Sequence, residues 1–155
     1  MDWNASLGQP LPSFSGCFVC GIDNNSGLKL KFFQKNDSVS AFFSPSKTHL
    51  GYGHAVHGGI ISSLLDEAIV WAVYAATSRF GVTAELNVRF LKPVLLNEKY
   101  IVEGRLINNK GKIWQAEAVL MDAKSISYAK GIGKIFPLSE IQNETIKMNL
   151  LLEND

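Results

Sequence analysis

The 155-residue chain has few cysteines, and its charges are balanced. Lys and Arg number 15 against 14 Asp and Glu, which gives a formal net charge of +1. The lysines are scattered among acids and form no basic block, so we do not predict a nucleic-acid partner.

The two cysteines, Cys17 and Cys20, form a single CxxC beside Gly21. Without a second CxxC they cannot complete a four-sulfur zinc site, and the spacing of His49, His54 and His57 matches no standard zinc motif. We therefore predict a reduced turn with no metal and no cofactor. A structural metal or redox chemistry is the weaker alternative.

Several other signatures are missing. The chain has no GxSxG elbow, so a serine mechanism on an α/β-hydrolase fold has no support. Neither GYGHAVHGG nor GIGKIF satisfies GxGxxG, the dinucleotide fingerprint. The N-terminal MDWNASLGQP lacks the positive start and apolar stretch of a signal peptide, so we expect a soluble cytoplasmic protein.

The hydrophobic residues make up 46% of the chain and the charged residues 19%. This composition and length fit one domain with a substantial core. We expect an irregular N-terminal lead-in over residues 1–16 and the domain over 17–137. The tail, 138–155, is expected to hold at most a short helix, with Ser139 and Gln142 as a capping box.

The most informative segment is His57-Gly58-Gly59, which leads into the apolar run Ile60 to Ala76. This pattern predicts a buried helix over 58–79. The run is about as long as a minimal membrane span. Asp66 and Glu67 near its centre would each cost roughly 2 to 3.5 kcal/mol in a bilayer, so no membrane span is predicted.

Strands are predicted on both sides of this helix. Small residues on the last two strands would let the helix approach the sheet closely: Ala116, Ala118, Ala129, Gly131 and Gly133. The predicted strands are Leu28 to Gln34, Val39 to Phe43, a long strand from Gly81 with a two-residue period through Phe90, Lys99–Ile107, Lys112–Met121 and Ser125–Phe136. Joined by short hairpins, the last four would form an antiparallel sheet against the helix, an α+β fold.

The start of the helix and its acids indicate chemistry on a carbonyl. Backbone N–H groups of the glycine pair lack internal acceptors and lie at the positive end of the helix dipole, where they can hold an oxyanion. Asp66 could activate water. Gly58 and Asp66 are about 12 Å apart along one helix, too far for one carbonyl. A symmetric dimer with antiparallel helices would bring them together across subunits.

Four segments carry a resemblance to a family: CFVCG at 17–21 with NSGL at 25–28, HGGIISSLLDEA at 57–68, GVTAELNVRFLKPV at 81–94, and KIWQAEAVLMDAKSISYAKGIGKIF at 112–136. The chain resembles the hotdog-fold acyl-CoA thioesterases of the phenylacetate-degradation-protein and thioesterase-superfamily-member branch. The resemblance implies a long central helix wrapped by an antiparallel sheet, dimers or tetramers, and hydrolysis of an acyl-CoA thioester.

Carried over by residue, Asp66 would be the general base or nucleophile. The Gly58 N–H, from the opposite subunit, would polarise the thioester carbonyl. His57 would shape the loop at the helix start, and Thr83 would position the water. Many relatives carry an Asn or Gln several residues before the histidine. Here that position lies near Gly51 and Tyr52.

Substrate-binding candidates around the same helix start are Gly59, His54, Ser63 and Glu67. Each has a plainer structural interpretation. Ser62 and Ser63 would bond back to their own helix, Glu67 would be a solvated or paired acid, and Thr83 an ordinary strand residue.

Trp71, Tyr74, Phe42, Phe43 and Trp114 could line an acyl or aryl pocket, but their spacing favours the core. The alternative function is a hotdog protein that binds an acyl ligand without turnover. A hydratase is less favoured, because the helix lacks an Asp/His pair.

Overall fold

The computed structural model describes residues 7–150, which form one antiparallel sheet and two helices. The strands are β1 (Gln9–Pro10), β2 (Phe32–Lys35), β3 (Ser38–Phe43), β4 (Gly81–Phe90), β5 (Tyr100–Asn108), β6 (Trp114–Asp122) and β7 (Ser127–Pro137). The helices are α1 (Gly58–Thr77) and α2 (Glu140–Lys147). The predicted α+β class is confirmed.

The sheet has seven strands in the order β1-β2-β3-β5-β6-β7-β4, and every neighbouring pair is antiparallel. Our expectation that the last four strands follow one another through hairpins was wrong for β4. This strand crosses over and pairs with β7 at the end of the sheet. Sequence-adjacent strands usually pair, but here β6 and β7 lie between β5 and β4 in the sheet. The connection from β4 to β5 is bound instead to the segment before α1, since the Val56 N–H donates to the Val94 carbonyl.

The predicted strand from Leu28 begins only at Phe32. Lys29 has a left-handed backbone with a φ of 53°, and this conformation interrupts an extended strand. The N–H groups of Leu28 and Leu30 bond instead to the carbonyls of Phe18 and Val19 in the preceding turn. The lead-in also departs from the expected irregular chain, because Gln9–Pro10 pairs with β2 as β1. Residues 1–6 lie outside the described part.

Helix α1 lies across the sheet and contacts β2 through β7. Glycines let it approach. A Cβ on Gly104 would lie 2.4 Å from the Ala68 carbonyl oxygen, and one on Gly133 would lie 2.9 Å from Ile69 Cγ2. Gly131 faces Leu65 in the same way. The predicted role of the small residues is confirmed at the two glycines of β7, and Gly104 on β5 adds the tightest contact with the helix.

The two-residue period predicted for β4 is broken by a β-bulge. Thr83 pairs with Ile135 and Glu85 with Lys134, so Ala84 is the extra residue. Thr83 is half-buried beside α1, while Val82 is 59% exposed. Beyond the bulge, Leu86 and Val88 pack on the core. The bulge therefore places Thr83 on the same face as Leu86 and Val88, which simple alternation assigns to the opposite face.

Helix α2 begins with the predicted capping box of Ser139 and Gln142. It is fastened to the end of α1 by Asn143, which is 4% exposed. Asn143 Oδ1 accepts from the Phe80 N–H at 2.8 Å, and Nδ2 donates to the Ser78 carbonyl at 3.2 Å. The tail after residue 150 lies outside the described part.

Helix α1 passes the length and composition test for a membrane-crossing helix, as buried core helices also do. Eight of its residues are buried: Ile61, Leu64, Leu65, Ala68, Ile69, Trp71, Ala72 and Val73.

We predict that Gly104→Ala destabilises the fold by about 1 to 3 kcal/mol, because the added methyl meets backbone that cannot rotate away. Chemical denaturation measures the free energy of unfolding. Gly16→Ala is the matched control, since nothing lies within 4 Å of a Cβ there. Its stability should stay within about 0.5 kcal/mol of wild type. Equal stabilities of the two variants would contradict this account of the helix–sheet contact.

Candidate active site

The start of α1 is held by backbone hydrogen bonds from two directions. The His57 N–H donates to the His49 carbonyl at 2.8 Å, and the Val56 N–H donates to Val94 at the same distance. The loop before the helix is thus tied to the loop after β4, and the helix N-terminus has a fixed position.

His57 is the N-cap of α1, and its Nδ1 accepts a hydrogen bond from the Gly59 N–H at 2.9 Å. A side chain that accepts from one of the first N–H groups is the usual stabilising device of a helix start. Gly59 therefore does not contribute a free donor, which changes the sequence-based picture of two donors. Among the described residues, the Gly58 N–H is bound to no acceptor.

Gly58 lies on the wall of a groove of about 380 Å³ between the helix start and the end of β4. Its Cα faces the Phe90 ring, so that a Cβ would lie 3.3 Å from Phe90 Cζ. The groove contains one cationic side chain, Lys92. Phe90 is 53% exposed. It was predicted from the sequence as a strand residue but was not identified as part of the site. The only signal it gives is an aromatic residue at the end of a strand.

Two turns farther along α1, Asp66 turns toward β4. The Thr83 hydroxyl donates to Asp66 Oδ1 at 2.7 Å. The bulge at Ala84 makes this contact possible, because it sets the face of the sheet on which Thr83 lies. The structure thus brings together two of the four predicted catalytic residues within one chain, Asp66 and Thr83, while His57 and Gly58 lie at the helix start.

Glu67 points to another side of α1, as expected from the step of about 100° between neighbouring helical residues. Its Oε1 accepts from Trp71 Nε1 at 3.0 Å and lies 3.4 Å from Cys17 Sγ. Burial raises the pKa of the Glu67 carboxyl to about 7. A hydrogen bond from the Cys20 side chain lowers the pKa of Cys17 to about 5, and the same bond raises that of Cys20.

The other candidates have plainer positions. Ser62 and Ser63 donate to the carbonyls of Gly58 and Gly59, at 2.8 and 2.9 Å, which is the back-bonding expected of helical serines. His54 is exposed, and Tyr52 is 95% exposed.

The candidate pocket aromatics belong mainly to the core. Trp71, Phe43 and Trp114 are buried, and Tyr74 stacks on Phe80 with ring centroids 4.2 Å apart. Phe42 is half-buried beside a smaller cavity of about 180 Å³ at the start of β5.

Comparison with known proteins decides the family. The model of the thioesterase superfamily matches residues 53–128, which include the helix start, Asp66 and Thr83. A protein of Saccharolobus solfataricus named "Putative esterase" is 31% identical over 126 residues, covering 80% of this chain and 82% of that protein. The chain belongs to the thioesterase superfamily.

A second relative extends the likeness without naming a substrate. An uncharacterized protein of Schizosaccharomyces pombe is 32% identical over 92 residues, which cover 57% of this chain. The chain matches only 53% of the length of that relative.

Solved structures of the thioesterase superfamily share the fold. One superfamily protein has a TM-score of 0.72 at 22% identity, over 77% of this chain and 62% of its own. The Streptococcus mutans protein bound to acetyl CoA has a TM-score of 0.65 at 19% identity, and the match covers 71% of this chain and 89% of that protein. The E. coli PaaI protein has a TM-score of 0.66 at 15% identity, and the match covers 72% of this chain and 81% of that protein. The predicted hotdog architecture is confirmed.

We predict that His57→Ala lowers the stability of this thioesterase-superfamily chain by about 0.5 to 2 kcal/mol, because the Gly59 N–H loses its acceptor. His54→Ala is the matched control, a nearby exposed histidine whose loss should stay within about 0.5 kcal/mol. Thermal and chemical denaturation of both variants provide the measurement. Equal losses would show that the cap contributes no stability.

Proposed function

We propose that this protein hydrolyses acyl-CoA thioesters at two equivalent sites of a symmetric dimer. The observation that carries the proposal is the Asp66–Thr83 hydrogen bond between α1 and β4, in a chain whose helix start offers the Gly58 N–H to no acceptor among the described residues. Support for coenzyme A as part of the substrate comes from the S. mutans structural neighbour, which binds acetyl CoA.

In the proposed reaction Asp66 removes a proton from water, and the oxygen attacks the thioester carbonyl. The C–S bond then breaks, giving a free acid and the coenzyme A thiol, which takes up the proton. Thr83 is a positioning residue, because its hydroxyl group donates its one hydrogen bond to Asp66 Oδ1. This bond fixes the orientation of the carboxylate. The second carboxylate oxygen is left for water.

The negative charge that develops on the carbonyl oxygen needs a donor. The Gly58 N–H is suited to this, since it lies at the positive end of the α1 dipole. Eight residues of helix separate Gly58 from Asp66, about 12 Å along one axis, so the donor would come from a second subunit.

Strand β4 is the natural surface for that pairing. It is ten residues long, ends the sheet, and has only β7 as a partner among the strands of the described chain. Long unpaired edges are normally protected. Two β4 strands joined antiparallel about a two-fold axis would extend the sheet and place the two α1 helices side by side.

A second candidate function is acyl-CoA binding without hydrolysis. It is favoured by the loop before His57, where Gly51 and the 95% exposed Tyr52 replace the side-chain amide that the resemblance leads one to expect. Bound acyl-CoA that is never turned over would support this candidate.

Asp66→Asn should reduce thioester hydrolysis by about 10² to 10⁴-fold, because the amide cannot take a proton from water. Thiol release with Ellman's reagent, over short, medium, long and aromatic acyl-CoAs, measures the rate. Thr83→Val should lower kcat less, with Thr83→Ser restoring most of it. Full activity of Asp66→Asn on the best substrate would exclude Asp66 as the base.

The role of the Gly58 N–H can be tested by removing the donor itself. Gly58→Pro does so at the first helical position, where proline is tolerated. His57 has a φ of −59° and a ψ of 135°, the extended backbone that a residue before proline adopts. Activity should fall by about 10² to 10³-fold. Gly58→Ala, which keeps the N–H and meets the same Phe90 ring, is the control and should stay within several-fold of wild type.

Mixing the two inactive variants tests the composite site. A dimer of one Asp66→Asn and one Gly58→Pro chain has one site with both changes and one intact site. Random exchange of subunits should therefore restore about a quarter of wild-type activity. No recovery, with mixed dimers demonstrated by mass spectrometry, would place both groups of each site in one chain.

A further inference from the structure

A second group of reactive side chains lies where the turn at 17–21 meets α1, beside the proposed catalytic site. It consists of Cys17, Cys20 and Glu67, which we call the Cys–Glu cluster. The two Sγ atoms and a carboxylate oxygen all lie within 4.8 Å of one another. The proposed reaction uses none of these three groups, and the family resemblance assigns no role to the two cysteines.

The spacing of the cluster fits a shared metal ion. Zinc bound tetrahedrally, with Zn–S of about 2.3 Å and Zn–O of about 2.0 Å, sets S and O ligands about 3.5 Å apart. Cys17 Sγ and Glu67 Oε1 are 3.4 Å apart. The side chains would need little movement to bind the ion.

The backbone of the CxxC turn is already arranged around Cys17 Sγ. The N–H groups of Val19 and Cys20 point to this sulfur, at 3.4 and 3.5 Å. Gly21 N–H closes the turn on the Cys17 carbonyl at 2.9 Å. A Cβ on Gly21 would lie 2.4 Å from the Ser15 carbonyl oxygen, so the turn requires glycine there. Donors aimed at a sulfur stabilise its thiolate, the form that binds metals.

The carboxyl group has an orienting partner as well. Trp71 Nε1 donates to Glu67 Oε1 at 3.0 Å, and Trp71 is 1% exposed. Hydrogen bonds of this kind fix ligands around protein metals. Among residues 7–150 no ion pair of Glu67 is found.

We propose that the Cys–Glu cluster binds one zinc ion per chain, through the two thiolates and the Glu67 carboxylate. The two sulfur ligands favour zinc over magnesium or calcium. A water molecule would be the fourth ligand of the zinc ion. It could reach the site beside Cys17, which is only half-buried. The ion fastens the turn at 17–21 to the helix, between residues 50 positions apart in the sequence, and so acts as a structural clamp next to Asp66.

The primary test is Co²⁺ titration of the reduced, chelator-treated full-length protein. One equivalent of Co²⁺ per chain should give thiolate charge-transfer absorption and the visible bands of tetrahedral cobalt, and Zn²⁺ should abolish both. Zinc should raise Tm and block alkylation of both thiols. Absence of the absorption in wild type would overturn the proposal without any variant.

Variants then assign the ligands. Cys17→Ser and Cys20→Ser should lose the charge-transfer bands, and Glu67→Gln, which keeps the shape and the Trp71 hydrogen bond, should weaken binding at least about 10-fold. Asp66→Asn is the matched control on the neighbouring residue and should bind Co²⁺ as wild type does. Wild-type affinity in Glu67→Gln, or a Cys17–Cys20 disulfide that resists reduction, would refute the three-ligand site. Thioester turnover is not the readout, so failure here leaves the proposed hydrolysis untouched.

Discussion

The close approach of α1 to the sheet is the constraint on which the rest of this structure depends. At Gly104 the helix backbone itself, through the Ala68 carbonyl, occupies the place of a side chain. With Gly131 and Gly133 the contact leaves no room for a sliding or rotated helix. The rotation of α1 is thereby fixed, and with it the directions in which Asp66 and Glu67 point.

Two acids that are adjacent in the sequence consequently have different surroundings. Asp66 faces the end strand of the sheet and accepts one hydrogen bond from the Thr83 hydroxyl. Glu67 faces an interior of sulfur and indole, where burial raises its pKa to about 7. The helical step of about 100° separates a carboxylate that accepts from a β4 hydroxyl from one that accepts from an indole N–H. A single turn of helix can therefore serve one reaction and one structural link.

The sequence was sufficient for the long strands and for the helix that carries the acids. The apolar run predicted a helix over 58–79, and the structure has Gly58–Thr77. It was insufficient for several contacts that arrange the side chains around the helix. No local pattern marks the bulge at Ala84, because bulges arise from pairing with β7. The Cys17–Glu67 contact spans 50 residues, and the use of the Gly59 N–H by His57 depends on a side-chain rotamer. Spacing along one chain specifies none of these.

The position of β4 has a consequence for how the chain folds as it is synthesised. Thr83 leaves the ribosome soon after Asp66, yet its strand can be fixed only by β7, whose partners extend to Pro137. Until β7 is made, one side of α1 is left uncovered, and β4 has no strand of the sheet to pair with. Pairings between such distant segments form slowly. Nascent chains of this protein would therefore expose the β7-facing edge of β4 from the time β4 is made until β7 follows, whereas the opposite edge of β4 is the one suited to a second copy in the finished molecule.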